Sequence, residues 1–204
     1  MVDIQAVYAN SVIETTHRGE RQIGLFDRLL LDRIIFLGGA IDSTRADFLI
    51  GQLLFLESMD PDKDVHLYVN SPGGAVQPAL AIYDTMQYVR CPISTICIGQ
   101  ASNMAALLLS AGAKGKRFTL PHARIHLHQP AGAFQGQATD VDIQARELVF
   151  IKDTLIQLFA RHTGLSEERV REDTDRDKFL RGAEAVEYGL VDQVFVRKEL
   201  HLVK

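Results

Sequence analysis

Four short stretches carry groups that could do chemistry: Gly73-Gly74, Ser102-Asn103-Met104, His126 with His128, and the acidic run Asp173-Thr-Asp-Arg-Asp177. The second points furthest. Pro92 to Ile98 reads as a β-branched strand, and Met104, Leu107, Leu108 and Leu109 then recur at helical spacing. A strand that becomes a helix within about four residues aims free backbone N–H groups, at the positive end of a helix dipole, into one small volume. Acyl-transfer enzymes put a nucleophile on such a turn so that those donors hold the developing oxyanion.

Each stretch also has a plainer reading. Gly-Gly after a strand is ordinarily a loop, and Ser102 or Asn103 at a helix start is most simply an N-cap. His126 and His128 alternate on a strand and so share one face. The pair could bind a metal, but no third ligand stands at useful spacing, so neither metal nor other cofactor is expected. The charged run from Glu167 to Asp177 would ordinarily be a solvated helix face.

The elements that must position these residues repeat one phrase, strand then Gly-rich turn then helix, three times in about 80 residues. Arg33 to Leu37 is a strand closed by Gly38-Gly39, with Asp42 or Ser43 capping a helix in which Phe48, Leu49, Leu53 and Leu56 recur. Val65 to Val69 leads through Asn70-Ser-Pro-Gly-Gly74 into a helix from about Val76 to Val89. Residues 92 to 112 are the third unit. The pattern predicts an α/β fold with its turns gathered at the carboxyl ends of the strands, where such proteins place their sites.

Beyond it, Lys116 to Leu120 and Arg124 to His128 read as short strands, and Gln129 to Gln137 is too rich in Gly, Ala and Gln to pack a core. A helix from about Thr139 to His162 is apolar on more than one face, which predicts that its second face is buried in another subunit. Glu167 to Thr174 and Gly182 to Tyr188 are shorter helices, and Leu190 to Phe195 a closing strand. Residues 1 to 24 are mixed, with Thr15 to Arg21 reading as polar and irregular, the kind of end that is mobile unless a partner orders it.

At 204 residues and 47% hydrophobic content the chain can bury one substantial core, and no linker divides it. A net charge of −4, with both signs scattered, offers no basic stripe for nucleic acid and no membrane anchor. No apolar run approaches the roughly 20 residues that span a bilayer. Cys91 and Cys97, without a second pair, suit a reducing compartment, so a cytoplasmic protein is expected.

Read in order, SPGG before a helix, GQA-x-x-M-A-A-L-L-L-x-AGAKGKRF, LPHAR-x-x-x-HQP, GQATD, DTDRD-x-FL and AEAVEYGLVD closely resemble the proteolytic subunit of the Clp protease, a serine peptidase. The resemblance runs from about Ile13 to Phe195. It implies a spiral of ββα units, a fold shared with crotonases, with a head formed by residues 25 to 128 and 163 to 204. A handle of strand plus long helix would span 129 to 162, and residues 1 to 24 would form an axial segment. Seven subunits would make a ring, two rings a tetradecamer, and a hexameric AAA+ unfoldase would feed it unfolded polypeptides.

Carried over residue by residue, the resemblance makes His128 the general base, Asp177 the acid that orients it, and Gly74 and Met104 the oxyanion-hole donors. Gln135 and Gln137 of the handle strand, with Asp175 and Arg176, would make ring contacts. His66, Tyr68, Tyr88, Phe118, Leu120 and Phe195 would line the pocket that takes the unfoldase loop. The nucleophilic serine falls on Asn103, where this chain departs from the family. A carboxamide nitrogen is delocalised into its carbonyl and gives a histidine no alkoxide to unmask. The expectation is an impaired subunit working beside an active paralogue. Two alternatives stand: Ser102 as nucleophile in a turn shifted by one residue, although one helical position is about 100° of rotation, and an acyl-CoA enzyme of the crotonase type, which lacks the carboxylate it would need near the hole.

Overall fold

The computed structural model describes residues 11–16 and 19–196. Residues 1–10, 17 and 18 of the expected axial segment, and 197–204 of the expected head, lie outside the described residues. The first two strands, β1 (Ser11–Thr16) and β2 (Gly19–Gly24), pair antiparallel from Ser11 opposite Gly24 to Thr16 opposite Gly19. The expectation of an irregular stretch is corrected here. The order comes from the backbone ladder between the two arms, which composition hides. A short helix, α1 (Leu25–Leu31), follows, and Arg28 ties it back to Glu14 at 2.6 Å.

Next come β3 (Ile34–Gly38), α2 (Ser43–Met59), β4 (Val65–Ser71), α3 (Val76–Tyr88), β5 (Ile93–Ser102) and α4 (Met104–Ser110). Asp42 accepts from the backbone N–H of Arg45 and starts α2, whose buried stripe is Ala46, Leu49, Leu53 and Leu56. Strands β3, β4 and β5 lie side by side and parallel. In β4 Val65, Leu67, Val69 and Ser71 point into the core while His66, Tyr68 and Asn70 face out. Every residue of α4 is buried, which is why its sequence reads as an unbroken apolar run.

Strand β5 is longer than its β-branched stretch. It continues through Gly99-Gln100-Ala101-Ser102 because it has two neighbours on one edge. Thr95–Cys97 pairs with β6 (Arg117–Thr119), and Gln100–Ser102 pairs with β7 (Arg124–Leu127), both parallel. The sheet forks there. One branch ends in β9 (Gln193–Val194), and the other in β8 (Lys178–Arg181), antiparallel to β7. The result is a mixed α/β fold with a mainly parallel sheet.

Helix α5 (Ala138–Thr163) has 26 residues, about 39 Å at 1.5 Å per residue. Only Leu155, Ile156 and Phe159 are buried, all in its second half, while Ile143, Val149 and Phe150 are exposed. Gly164 ends it in the left-handed conformation at φ 80°. Ser166 caps α6 (Glu167–Thr174), and α7 (Gly182–Glu187) follows β8. Residues 129–137, where the handle strand is expected to pair with another subunit, carry no ladder within the single chain. A strand needs a partner edge, and the chain folds none beside this segment. The β6–β9 branch is locked at its base by Arg117, which is buried and binds Asp192 through two nitrogens at 2.6 and 3.0 Å. The same guanidinium donates to the carbonyls of Ser110 and His162, joining the ends of α4 and α5.

Candidate active site

The end of β5, the end of β7 and the turn after β4 meet at one cavity of about 240 Å³, closed on its far side by α5. Asn103 is the whole turn between β5 and α4. Its N–H continues the ladder to His126 O at 2.8 Å, while its carbonyl accepts from Leu107 N–H at 2.9 Å and so already belongs to the helix. Satisfying both neighbours forces φ 48° and ψ −106° on a residue that is not glycine.

The side chain of Asn103 does not cap the helix. It turns to His128: the backbone N–H of His128 donates to Oδ1 at 2.8 Å, and Nδ2 lies 2.6 Å from the imidazole Nε2. Only a carboxamide oxygen can accept from that N–H, so Nδ2 is the atom facing the ring, and Nε2 is the acceptor. The imidazole proton is therefore on Nδ1, which meets the carbonyl of Gln129. Ser102 is 7% exposed and pairs in the ladder opposite His126. The structure brings Asn103 to the imidazole and leaves Ser102 in the strand.

Asp177 is placed differently from the expectation. Its carboxylate lies 3.2 Å from Nε2 of His126, not on His128, and is largely exposed. That contact lacks hydrogen-bond alignment, and His126 Nε2 is buried without a hydrogen-bond partner among the described residues. The register explains the near miss. Lys178 faces Leu127 in the β7–β8 ladder, so one step further along Asp177 stands opposite His128, with His126 its diagonal neighbour.

Gly74 and Met104 both line the cavity. The bridge at Gly74 is made by Ile41, which bonds to Gly73 O and Ala75 N and leaves the Gly74 N–H over. Among the described residues neither the Gly74 nor the Met104 N–H has a backbone acceptor. Gly74 has φ 155°, and a Cβ there would stand 2.3 Å from Ile41 O, so this turn admits no side chain. Leu155, Ile156 and Phe159 give the cavity its apolar wall.

Gln129 and Lys152 were not singled out in the sequence, yet they tie this site together. Lys152 donates to Gln129 Oε1 at 2.8 Å, and Gln129 Nε2 donates to the carbonyl of Asp175 at 2.9 Å. The position of Gln129 directly after His128 was the only available signal. Arg176 stays 3.7 Å from Asp175 and is almost wholly exposed, and Gln135 and Gln137 are exposed.

On the outer sheet face, Phe36, Tyr68, Ile96 and Phe118 stand in one cross-strand row. Phe36 stacks on Tyr68 at 5.4 Å, and Phe118 on Phe195 at 4.0 Å. His66 and Leu120 are half-buried, whereas Tyr88 is 78% exposed at the end of α3. Among the described residues no three His, Cys, Asp or Glu side chains gather as a metal would require.

An elbow between strand and helix, an acceptor imidazole beside it and two amides without backbone acceptors share one cavity, an arrangement with which acyl-transfer chemistry can be done when a hydroxyl rather than a carboxamide stands on the elbow. The family model described as Clp protease matches residues 17–198. The chain belongs to the Clp protease family.

Proposed function

We propose that this chain is a subunit of a Clp-type peptidase ring whose own site does not cleave peptides, assembled with an active paralogue. Clp proteases generally form rings fed by AAA+ unfoldases. The observation that carries the reading is the Asn103 carboxamide on His128, with no hydroxyl hydrogen-bonded to the imidazole among the described residues. The base, the two free amides and the apolar cavity support a peptide-binding wall that lacks only the attacking atom. Removing one triad member leaves about 10³ to 10⁴-fold over water, far too little for an amide bond.

Ring contacts are assigned to Gln135, Gln137, Asp175 and Arg176, and stacked rings of seven to the fourteen-subunit assembly. The exposed apolar residues of α5 and the unpaired segment 129–137 support this, since both present surface that another subunit would cover. The aromatic row on the outer face, with His66, Leu120 and Tyr88 from a neighbouring position, is assigned to the unfoldase loop. Unfolded polypeptide is the substrate of the assembly. Residence in the cytoplasm is part of the proposal, supported by two buried free thiols. Among the described residues no helix is long and apolar enough to cross a membrane.

The test is a fluorophosphonate probe applied to the purified chain alone. No labelling is expected. Labelling at Ser102 would mean that the neighbouring hydroxyl has taken over as nucleophile and would overturn the proposal.

A further inference from the structure

The backbone of Asn103 prepares a reaction of its own side chain. Its φ of 48° and ψ of −106° lie near the first central position of a type II′ turn, about +60° and −120°. In an L-residue Cβ stands about a third of a turn from N around the Cα–C bond, so this ψ leaves Cβ within roughly 15° of eclipsing the next nitrogen. The Met104 nitrogen, the Asn103 carbonyl carbon, Cα and Cβ are then almost coplanar. These are four members of a five-membered ring, and Cγ of Asn103 is the fifth. Extended and helical backbones both turn that nitrogen away from Cγ.

Two further observations favour closure. The His128 N–H on Oδ1 at 2.8 Å draws electron density from Cγ, and Nδ2, the group that would leave, faces His128 Nε2 at 2.6 Å. The Met104 N–H is committed to no backbone acceptor among the described residues, so the attacking nitrogen is not held in a ladder. Asn103 also lines the cavity, which admits water.

We propose that Asn103 is a self-modification site that cyclises with Met104 to a succinimide and opens to aspartate and isoaspartate. The Met104 nitrogen bonds to Cγ, and its proton passes through His128 Nε2 and solvent to Nδ2. The Cγ–Nδ2 bond breaks and ammonia leaves. Water then opens the ring at either carbonyl, one opening giving Asp at position 103 and the other an isoaspartyl linkage. One water is consumed, one ammonia is released, and nothing is oxidised or reduced. Aspartate would put a carboxylate against the imidazole. The isoaspartyl product would add a methylene to the main chain and displace the Met104 N–H from the cavity. None of this depends on whether the chain cleaves peptides.

The three asparagines of the chain supply an internal comparison. Asn10 and Asn70 precede serine, whereas Asn103 precedes the bulkier Met104, which slows ring closure in a flexible chain. Asn70 lies in β4 with extended backbone. The full-length chain is incubated at neutral pH, folded and in urea, and peptides are mapped for a gain of about one dalton and for isoaspartyl methyltransferase labelling. Folded chain should convert Asn103 ahead of Asn70, and roughly tenfold or more faster than urea-unfolded chain does, as pre-orientation requires. Urea should reverse the order of the two sites. His128→Ala should slow conversion in the folded chain several-fold, and Asn103→Gln should abolish it. Conversion of Asn103 no faster folded than in urea overturns the proposal. An unchanged rate in His128→Ala would remove the histidine from the step.

Discussion

Asn103 and His128 are joined at two points, ring to amide nitrogen and main-chain N–H to amide oxygen. The elbow that fixes Asn103 thereby also fixes the end of β7, and the imidazole is kept in the tautomer that a base requires. The base is therefore set up in a chain whose partner atom offers it nothing to deprotonate.

Asn103→Ser should restore that partner. Peptidase activity and fluorophosphonate labelling at position 103 should rise by about 10³-fold or more over the parent chain, when both are assayed in assembled rings. The serine loses the Oδ1 bond to His128 N–H, so a loss of about 1 kcal/mol in urea stability should accompany the gain.

Asp192→Ala should destabilise the chain by about 3 kcal/mol, because it leaves the buried Arg117 guanidinium without its carboxylate. Burial works to raise the Asp192 carboxyl, but hydrogen bonds from Arg117 and Gly115 outweigh it and hold the group below the usual carboxylate range. A depressed folded value means stability that is present above the unfolded value and lost as pH falls through the folded one. Urea midpoints of the parent should thus fall on acidification below about pH 4, and the variant should show a flatter acid limb.

His162 supplies a second pH window. Burial, then the charges of Arg117 and Arg161, push its imidazole down to about 4, and its Nε2 is hydrogen-bonded to the Tyr83 hydroxyl at 2.9 Å. The unfolded chain takes up a proton near about pH 6.5 while the folded chain does not, so stability falls as pH drops from there toward the folded value. His162→Gln should flatten melting temperature against pH across that interval. An imidazole titrating near 6.5 in the folded chain by NMR would contradict this.

Tyr68→Ala should weaken association with an AAA+ unfoldase at least about tenfold, since stacked rings on an uncovered face behave as anchors. Tyr68 is half-buried against Phe36, so the stability cost should be only about 1 kcal/mol. Unfoldase ATPase stimulation and a thermal melt separate the two effects.

The three strand–turn–helix units were legible because each follows one rule of periodicity, alternation in β4 and a stripe in α2. Helix α4 was legible from Met104, Leu107 and Leu108 at helical spacing, although all of its faces are buried. Other elements were hidden because they depend on distant partners. Gln100 to Ser102 look like loop until β7 arrives to pair with them, and β8 lies inside a charged stretch that only its register with β7 makes a strand. Segment 129–137 shows the reverse, a strand implied by resemblance that finds no edge within the chain. At the site, the family resemblance brought Asn103, His128 and Asp177 together, and the first two do touch. The side-chain choice of Asp177 between His126 and His128 is a diagonal alternative within one register, which spacing does not decide.

Because β5 divides its partners, the sheet has two zippers on one strand rather than a single continuous seam. Opening β7 and β8 from Gln100–Ser102 leaves Thr95–Cys97 and everything behind them closed. The corner that carries Asn103 and His128 should therefore open ahead of the rest of the sheet. Its amides should exchange with deuterium well before those of β4, with a free energy smaller than that of global unfolding.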